Sequence, residues 1–236
     1  MALSSPLTSS HVTRHHAEIP ALDGFRSLAV LIVMLSHVGL QKVVPGQFGV
    51  TLFFFLSGYL ITTLLRRELA TTGDISFRRF YLRRTIRIIP PMYITIAFIA
   101  VLSLVGVIHP LAPWALSFDF LFLTNYFPYS GTPIGLWSLA VEEHYYLFFP
   151  LFLWLLSRRK LSFAQCAVAC LGLCGAALAI RFWEVERIAD LSRMTWWTHT
   201  RIDSILWGAV LALWNNPVAD ETDVLPKRWA GYALAV

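Results

Sequence analysis

A histidine lies deep inside the first apolar run of the chain, where an ionisable side chain is costly. The run RSLAVLIVMLSHVGL begins at Arg26, and His37 follows eleven residues later. On an ideal helix that step turns about 1100°, so the two side chains share one face at a separation of about 16 Å. A neutral imidazole there can accept a proton during a reaction, although a packing histidine with a hydrogen-bond partner would look the same. Asp23, three residues before Arg26, can pair with it on the same face.

Two adjacent carboxylates lie inside another apolar run, LWSLAVEEHYYLFFP. Glu142 and Glu143 are rotated by about 100° from each other on a helix, so only one of them easily faces a given cavity. A carboxylate in hydrocarbon must find a partner or stay protonated. We therefore predict that at least one of them is functional, as the carboxylate that orients a histidine acting as general base. Glu142, which shares its face with Ser138, is our first choice to share a cavity with His37.

A pair of arginines precedes two prolines in the segment RRTIRIIPPMY. Arg84 and Arg87 are three residues apart and are neighbours on one helical face. Pro90 and Pro91 predict that a helix starts or breaks at this point. Paired arginines suit phosphate oxygens better than lysines do. Arginines that only fix membrane topology would have the same pattern, so both explanations stay open at this stage.

The elements that must position these residues are membrane spans. The 236-residue chain is 57% hydrophobic and 14% charged, whereas soluble domains are about 45–50% apolar and about 25% charged. A span needs roughly 20 mostly apolar residues. Six blocks approach that length, at residues 22–40, 48–65, 88–108, 136–156, 163–182 and 202–214.

Two shorter apolar stretches complete this pattern. Residues 116–127 are too short to cross straight and are expected to be re-entrant or broken, and a stretch from Trp229 is cut off at Val236. We therefore expect an all-α polytopic transmembrane helix bundle. It would have six to seven spans, one short re-entrant or broken segment and the start of another span. The domain division is a polar tail at residues 1–18 and an incomplete membrane domain at 19–236.

The basic residues lie mostly on one side of this arrangement. Short loops rich in Lys and Arg stay in the cytoplasm. With the amino terminus placed inside, the cytoplasmic side holds all of the 19 Lys and Arg residues except Lys42, Arg181, Arg187, Arg193 and Arg201. This predicts a multi-pass protein of the cell membrane with a cytoplasmic amino terminus. The chain shows no soluble basic domain, so nucleic acid is not an expected partner.

Two further polar features have simple structural explanations. Cys166, Cys170 and Cys174 recur every four residues and form one helix stripe, for which we predict packing over redox or metal chemistry. Arg201 and Asp203 open the sixth long block and are expected to form a local pair at the membrane boundary. No metal site is expected.

Five segments of the chain, taken in order, resemble one family. They are IPALDGFRSLAVLIVMLSH, FGVTLFFFLSGYLI, FYLRRTIRIIPPMY, LWSLAVEEHYYLFFP and RIDSILWGAVLA. The resemblance is to the integral-membrane acyltransferase family 3, which O-acylates polysaccharides and other extracytoplasmic acceptors. The family's arginine–ten residues–histidine motif matches Arg26 and His37, and its R-x-x-R motif matches Arg84 and Arg87. His144 departs from the family, which usually has glutamine after the two glutamates.

The resemblance implies an acyltransferase that uses acyl-CoA as co-substrate, with acetyl as the expected acyl group, and binds no cofactor permanently. The donor would bind at the cytoplasmic face through Arg26, Arg84 and Arg87. The acceptor would be a hydroxyl of an extracytoplasmic glycan or a related molecule. His37 would act as general base or acyl carrier near the middle of the membrane. The family has about ten spans, so this chain would lack the last few.

Two other functions are compatible with intramembrane histidine and glutamate. A proton-coupled transporter uses such residues as relays and has broken helices at its substrate site. A non-catalytic membrane assembly component is the other alternative. The arginine pair beside the prolines favours the acyltransferase, because a donor that carries phosphates needs cationic partners and a small-solute carrier does not.

Overall fold

The computed structural model describes residues 20–108, 114, 116–127, 136–187, 191–216 and 219–220. These residues form helices and turns and contain no strand, which confirms the predicted all-α class. The helices are α1 (Pro20–Leu35), α2 (Gly46–Thr72), α3 (Phe77–Leu104), α4 (Leu116–Phe120), α5 (Leu136–Arg158), α6 (Phe163–Val185) and α7 (Thr198–Trp214).

Five segments are long and apolar enough to cross a membrane: α2, α3, α5, α6 and residues 22–40, which join α1 to the turn that follows it. The seventh helix, α7, has 17 residues. The segment that begins with α4 forms only five helical residues and a series of turns up to Phe127, in agreement with the prediction that it is too short to cross straight. The polar tail and the stretch from Trp229 lie outside the described residues.

The two prolines in α3 do not break the helix, contrary to the prediction. The helix is continuous from Phe77 to Leu104 and includes Pro90 and Pro91 in its middle. Both prolines are exposed, so their rings project from the helix surface, away from the other described helices. A membrane helix also tolerates proline where local adjustments and hydroxyl side chains satisfy the freed backbone groups. Thr95 donates a hydrogen bond, at 2.9 Å, to the carbonyl of Pro91 one turn earlier.

The centre of the bundle is a close crossing of α2 and α7. A Cβ atom added to Gly58 would lie 2.0 Å from the carbonyl oxygen of Ile205, and one added to Gly208 would lie 1.9 Å from that of Phe55. Only glycine permits such an approach of two backbones. The two helices are parallel, because Thr51 meets Arg201 near their starts and Arg66 meets Ala212 near their ends.

The remaining helices surround this pair. Helix α6 packs along α7 through the cysteine stripe, whose three members are all buried. Helix α1 packs on α2, where Gly49 lies against the backbone of Ala29. Helix α5 contacts both α2 and α7, and α3 lies outside it, with the Tyr81 hydroxyl donating to the Leu147 carbonyl at 2.8 Å. Helices α5 and α6 both pack on α7 but hardly touch each other.

One end of the bundle, here called the basic end, carries most of the described positive charge. It is where α2, α5 and α7 finish and where α1 and α3 begin. Its basic residues include Arg66, Arg67, Arg78, Arg79, Arg158, Arg159 and Lys160.

A polar network fixes the end of α7 at the basic end. Arg66 forms an ion pair with Asp220, donates to the carbonyl of Ala212 at 2.8 Å and lies over the ring of Phe163. The Asn216 backbone N–H donates to the Asp220 carboxylate at 2.9 Å. That backbone hydrogen bond and the Arg66 guanidinium lower the pKa of Asp220 from its ordinary value.

We expect Asp220→Asn to lower the melting temperature at pH 7. A lowered folded-state pKa means that the carboxylate stabilises the fold above its unfolded pKa of about 4 and that this contribution is lost as pH falls through the folded value. The difference between the parent protein and the variant should therefore shrink below about pH 4. Thermal unfolding in nanodiscs at pH 7 and pH 3 measures this. The matched control is Glu186→Gln, at an exposed position. An equal fall in melting temperature in both variants would contradict a stabilising role for the Asp220 carboxylate.

Candidate active site

The face of α1 that carries Arg26 borders a cavity of about 540 Å³. Its walls include Arg26, Asp23 and Met34 from α1, Phe53 from α2 and Arg87 from α3. The Arg26 guanidinium lies 5.0 Å from the centre of the Phe53 ring. Asp23 and Arg26 both line this cavity, but among the described residues they do not form the ion pair that their spacing allows. Stacking on Phe53 takes its place.

Three guanidinium groups from two helices converge beside this cavity. Arg84 is half-buried, lies 5.4 Å from the ring centre of Tyr146 and interacts electrostatically with Arg26 and Arg87. Arg87 is exposed and forms part of the cavity wall. All three arginines that the sequence singled out for the donor are thus neighbours, and together they provide a concentrated positive charge that suits phosphate groups.

Glu142 is buried next to this cluster and faces α1. The residue is 6% exposed and lines a smaller cavity of about 170 Å³ with Val33 and Met34. Ser138 lines the same cavity, as the shared helix face predicted. The electrostatic neighbours of the carboxylate include Arg26 and Arg84, and its Oε1 atom accepts no hydrogen bond within the described residues. An unsatisfied carboxylate oxygen in a cavity can take a proton or a hydrogen bond from a bound molecule.

Glu143 points away from this small cavity. It is half-buried and does not belong to the cavity wall. Its Oε1 atom is also buried without a hydrogen-bond partner in the described part of the chain. Arg84 and Glu142 are its charged neighbours. The two carboxylates therefore differ in direction, as the sequence predicted, and Glu142 is the one that shares walls with α1.

His37 lies one turn beyond the residues of α1 that line the small cavity. Helix α1 ends at Leu35 and continues as a π-helical turn, Ser36–Leu40, in which Val38 and Gly39 leave helical geometry. The His37 Nδ1 atom is 2.8 Å from the Val33 carbonyl oxygen. Because a carbonyl only accepts, Nδ1 carries a proton, and in the neutral ring Nε2 then holds the free lone pair. The imidazole is exposed and does not form part of the cavity wall.

The expected local pair between Arg201 and Asp203 does not form. The Asp203 carboxylate instead accepts a hydrogen bond from the Arg181 guanidinium of α6, at 2.5 Å. Arg201 points to α2, where it donates to the Thr51 hydroxyl at 2.9 Å. Residues two apart on a helix face different directions, so each of the pair meets a different neighbouring helix.

The sequence interpretation missed a polar cluster at the end of the bundle opposite the basic end. His199 accepts through Nδ1 from the Tyr126 hydroxyl at 2.9 Å and meets Glu184 through Nε2 at 2.9 Å. The His144 Nδ1 atom is 2.6 Å from the Thr198 hydroxyl. These residues come from separate helices and from the segment after α4. Only the departure at His144 gave a signal in the sequence.

The described residues contain no group of three or more His, Cys, Asp or Glu side chains that could hold a metal ion.

Comparisons with known proteins give one consistent result. The family described as an acyltransferase domain matches residues 19–218. The peptidoglycan O-acetyltransferase OatA of Listeria monocytogenes is 32% identical over 89% of this chain and 36% of its own length. YrhL of Bacillus subtilis, provisionally assigned as a peptidoglycan O-acetyltransferase, is 35% identical over 86% of this chain and 34% of its own. No solved structure matches significantly.

A provisionally assigned O-acetyltransferase of Staphylococcus aureus (strain COL) is 34% identical over 92% of this chain and 38% of its own length. The chain thus spans between 34% and 38% of the length of these curated relatives. The matching residues include all seven described helices.

Proposed function

Because the chain belongs to the acyltransferase family, whose domain matches residues 19–218, we propose that it moves an acetyl group from acetyl-CoA to a hydroxyl of peptidoglycan or a related glycan. The family membership confirms the class of protein that the sequence motifs predicted. The choice of acceptor follows OatA, a peptidoglycan O-acetyltransferase, and YrhL, which is provisionally assigned the same function. The same membership favours acyl transfer over proton-coupled transport.

The observation that carries the proposal is the cluster of Arg26, Arg84 and Arg87 beside the buried Glu142. Coenzyme A brings several phosphate charges, and guanidinium groups bind phosphate through charge-assisted hydrogen bonds. The cavity that borders Arg26 and Arg87 leads along α1 through Val30 and Met34, which also line the cavity of Glu142. This path is suited to a thin arm that carries a thioester away from its phosphates.

His37 and Glu142 supply the proton chemistry in this proposal. The His37 Nε2 lone pair takes the proton of the acceptor hydroxyl while the hydroxyl oxygen bonds to the thioester carbonyl carbon. The carbon–sulfur bond then breaks, and the imidazolium returns the proton to the leaving coenzyme A thiolate. Glu142 stabilises the imidazolium through its negative charge, from a cavity that ends one turn before His37. The alternative in which His37 itself carries the acetyl group uses the same nitrogen as nucleophile.

We propose that the basic end lies in the cytoplasm of the cell membrane, which places the amino terminus inside. The excess of arginine at that end supports this orientation. The donor cavity then opens towards the cytoplasm, where acetyl-CoA is made. His37 lies about 16 Å along α1 from Arg26, on the way to the outer surface and to the glycan.

Transfer of labelled acetyl from acetyl-CoA tests this function. The full-length protein in membrane vesicles is incubated with the donor and peptidoglycan fragments, and O-acetylated product is measured by mass spectrometry. We expect ester-linked acetyl on the glycan, removed by mild base. Product formation equal to that of vesicles lacking the protein would contradict the proposal.

Replacing both Arg84 and Arg87 by alanine is expected to weaken acetyl-CoA binding by about a hundredfold or more, since each of the two lost charge-assisted contacts costs about 1.5–3 kcal/mol. The residual affinity should depend less on salt than that of the parent protein, because phosphate–guanidinium attraction is screened by ions. Isothermal titration in nanodiscs at low and high salt measures both quantities.

The exposed Arg83, which does not line the cavity, is the matched control as Arg83→Ala. The Arg83→Ala variant should bind acetyl-CoA about as tightly as the parent protein does. If the double variant binds acetyl-CoA as tightly as the Arg83 control, the two arginines serve membrane topology alone.

A further inference from the structure

A second cavity of about 540 Å³ lies between α5, α6 and α7, and it shares no wall residue with the cavity of Glu142. It exists because α5 and α6 both pack on α7 but hardly contact each other. Phe148, Leu173 and Ile180 line it and are 63%, 42% and 38% exposed. Since these side chains face both the cavity and the surface of the bundle, the cavity opens sideways, where the lipid chains of a membrane would lie.

The walls of this cavity are apolar apart from one rim. Tyr126, His144, Thr198 and His199 form that rim at the end opposite the basic end. Ligand sites are typically apolar cavities of about 300–1,000 Å³ with a few placed polar groups. The polar rim and the apolar body together match an amphipathic ligand.

The hydrogen-bond directions on the rim leave one donor free. Asn125 donates through Nδ2 to the Thr198 hydroxyl at 2.8 Å, and we assign that hydroxyl as the donor to the His144 Nδ1 atom, 2.6 Å away. The neutral ring of His144 then carries its proton on Nε2, which has no partner among the described residues. His199, in contrast, is occupied on both nitrogens by Tyr126 and Glu184. His144 is therefore the rim residue available to a ligand.

The charges at the rim select the kind of head group. Glu184 pairs with His199 beside the rim, and no Lys or Arg lines the described cavity. A phosphate head would lack a cationic partner there. An uncharged head that bears hydroxyl groups can accept from His144 Nε2–H.

A further transmembrane helix does not fit this cavity. A helix with its side chains is about 10–12 Å across, and a 30 Å length of it displaces more than roughly 2,000 Å³. The cavity volume is about 540 Å³, so a helix cannot enter the cavity, whereas a flexible hydrocarbon chain can.

We propose that the gap between α5 and α6 binds a membrane lipid with an uncharged, hydroxyl-bearing head, whose chain lies in the cavity and whose head is recognised by His144. This binding is independent of acyl transfer, because it involves neither the arginine cluster nor Glu142.

Photolabelling of the full-length protein in nanodiscs tests the proposal without acetyl-CoA. The probe is a monoacylglycerol with a diazirine in its acyl chain, and the comparison probe is the lysophosphatidic acid with the same chain. We expect the monoacylglycerol to label α5 and α6 peptides around Phe148 and Leu173, and the phosphate-headed probe to label them about tenfold less. Equal labelling by the two probes, or labelling elsewhere on the protein, would overturn the proposal.

Two alanines of α6 provide a matched pair of variants. Ala176 lines the cavity and Ala179 does not, and both are exposed, so phenylalanine at either position avoids a clash in the core. Ala176→Phe should reduce labelling about tenfold, whereas Ala179→Phe should leave it unchanged. Equal labelling of these two variants would contradict the cavity as the site.

The head-group contact is tested separately at His144. His144→Phe keeps the ring but removes the donor, and His144→Gln keeps an amide donor. We expect the monoacylglycerol to label the phenylalanine variant clearly less than the parent protein and to label the glutamine variant about as much as the parent protein. Thermal unfolding of each variant verifies that the bundle is intact. Unchanged monoacylglycerol labelling of His144→Phe would remove His144 from the site.

Discussion

Replacing His37 by alanine is expected to lower the turnover of acetyl transfer by a factor of about 10²–10⁴, the usual contribution of a positioned general base. The expectation rests on the hydrogen bond from Nδ1 to the Val33 carbonyl, which leaves Nε2 as the basic atom. The imidazole is exposed and supports no packing, so membrane insertion and thermal stability should be unchanged. Product formation under saturating donor and acceptor measures the effect.

Two further variants separate the base from the hydrogen bond. His37→Asn keeps a side-chain N–H for the Val33 carbonyl but has no basic nitrogen, so it should be as inactive as alanine. Val38→Ala changes the neighbouring side chain, which is 74% exposed, and should leave turnover nearly unchanged. If His37→Asn retains most of the activity, the residue positions the π-helical turn and does not take a proton.

Replacing Glu142 by glutamine is expected to lower turnover by about a hundredfold or more, since it removes the charge that stabilises the imidazolium. The side chain keeps its size, so the cavity with Val33 and Met34 is preserved. Removing a negative charge next to Arg26 and Arg84 should not weaken the binding of the donor's phosphates. Turnover and acetyl-CoA affinity, measured on the same preparation, distinguish a loss of catalysis from a loss of donor binding.

The adjacent Glu143 is the matched control for this prediction. It has the same carboxyl group in the same helix but lies outside the small cavity. Glu143→Gln should reduce turnover much less than Glu142→Gln does. The reverse result would keep the site and exchange the roles of the two carboxylates.

The sequence predicted those structural features that depend on the geometry of a single helix. Apolar block length predicted the helices, and helical periodicity predicted that Glu142 and Ser138 share a cavity. The spacing of Arg84 and Arg87 likewise placed them together near the basic end. Each of these features follows from local geometry, which one segment of sequence contains in full.

The features that the sequence could not predict depend on contacts between helices. Arg26 and Arg84 approach Glu142 from two other helices, although no cation lies near Glu142 in the sequence. Asp203 meets Arg181 because α6 and α7 pack side by side. The prolines of α3 are tolerated because that surface of the helix has no neighbour among the described residues. Such pairings are set by helix packing, which periodicity does not encode.

The position of α7 between α2 and α6 has a consequence for how the protein is made. Of the described helices, α7 is the last to leave the ribosome, yet it packs most extensively against helices made much earlier. Until Gly208 arrives, the groove around Gly58 on α2 has no partner, and α5 and α6 have no common surface to pack on. Membrane helices insert first and associate afterwards. The nascent bundle therefore stays open to chaperones and quality-control proteases until its seventh helix is inserted.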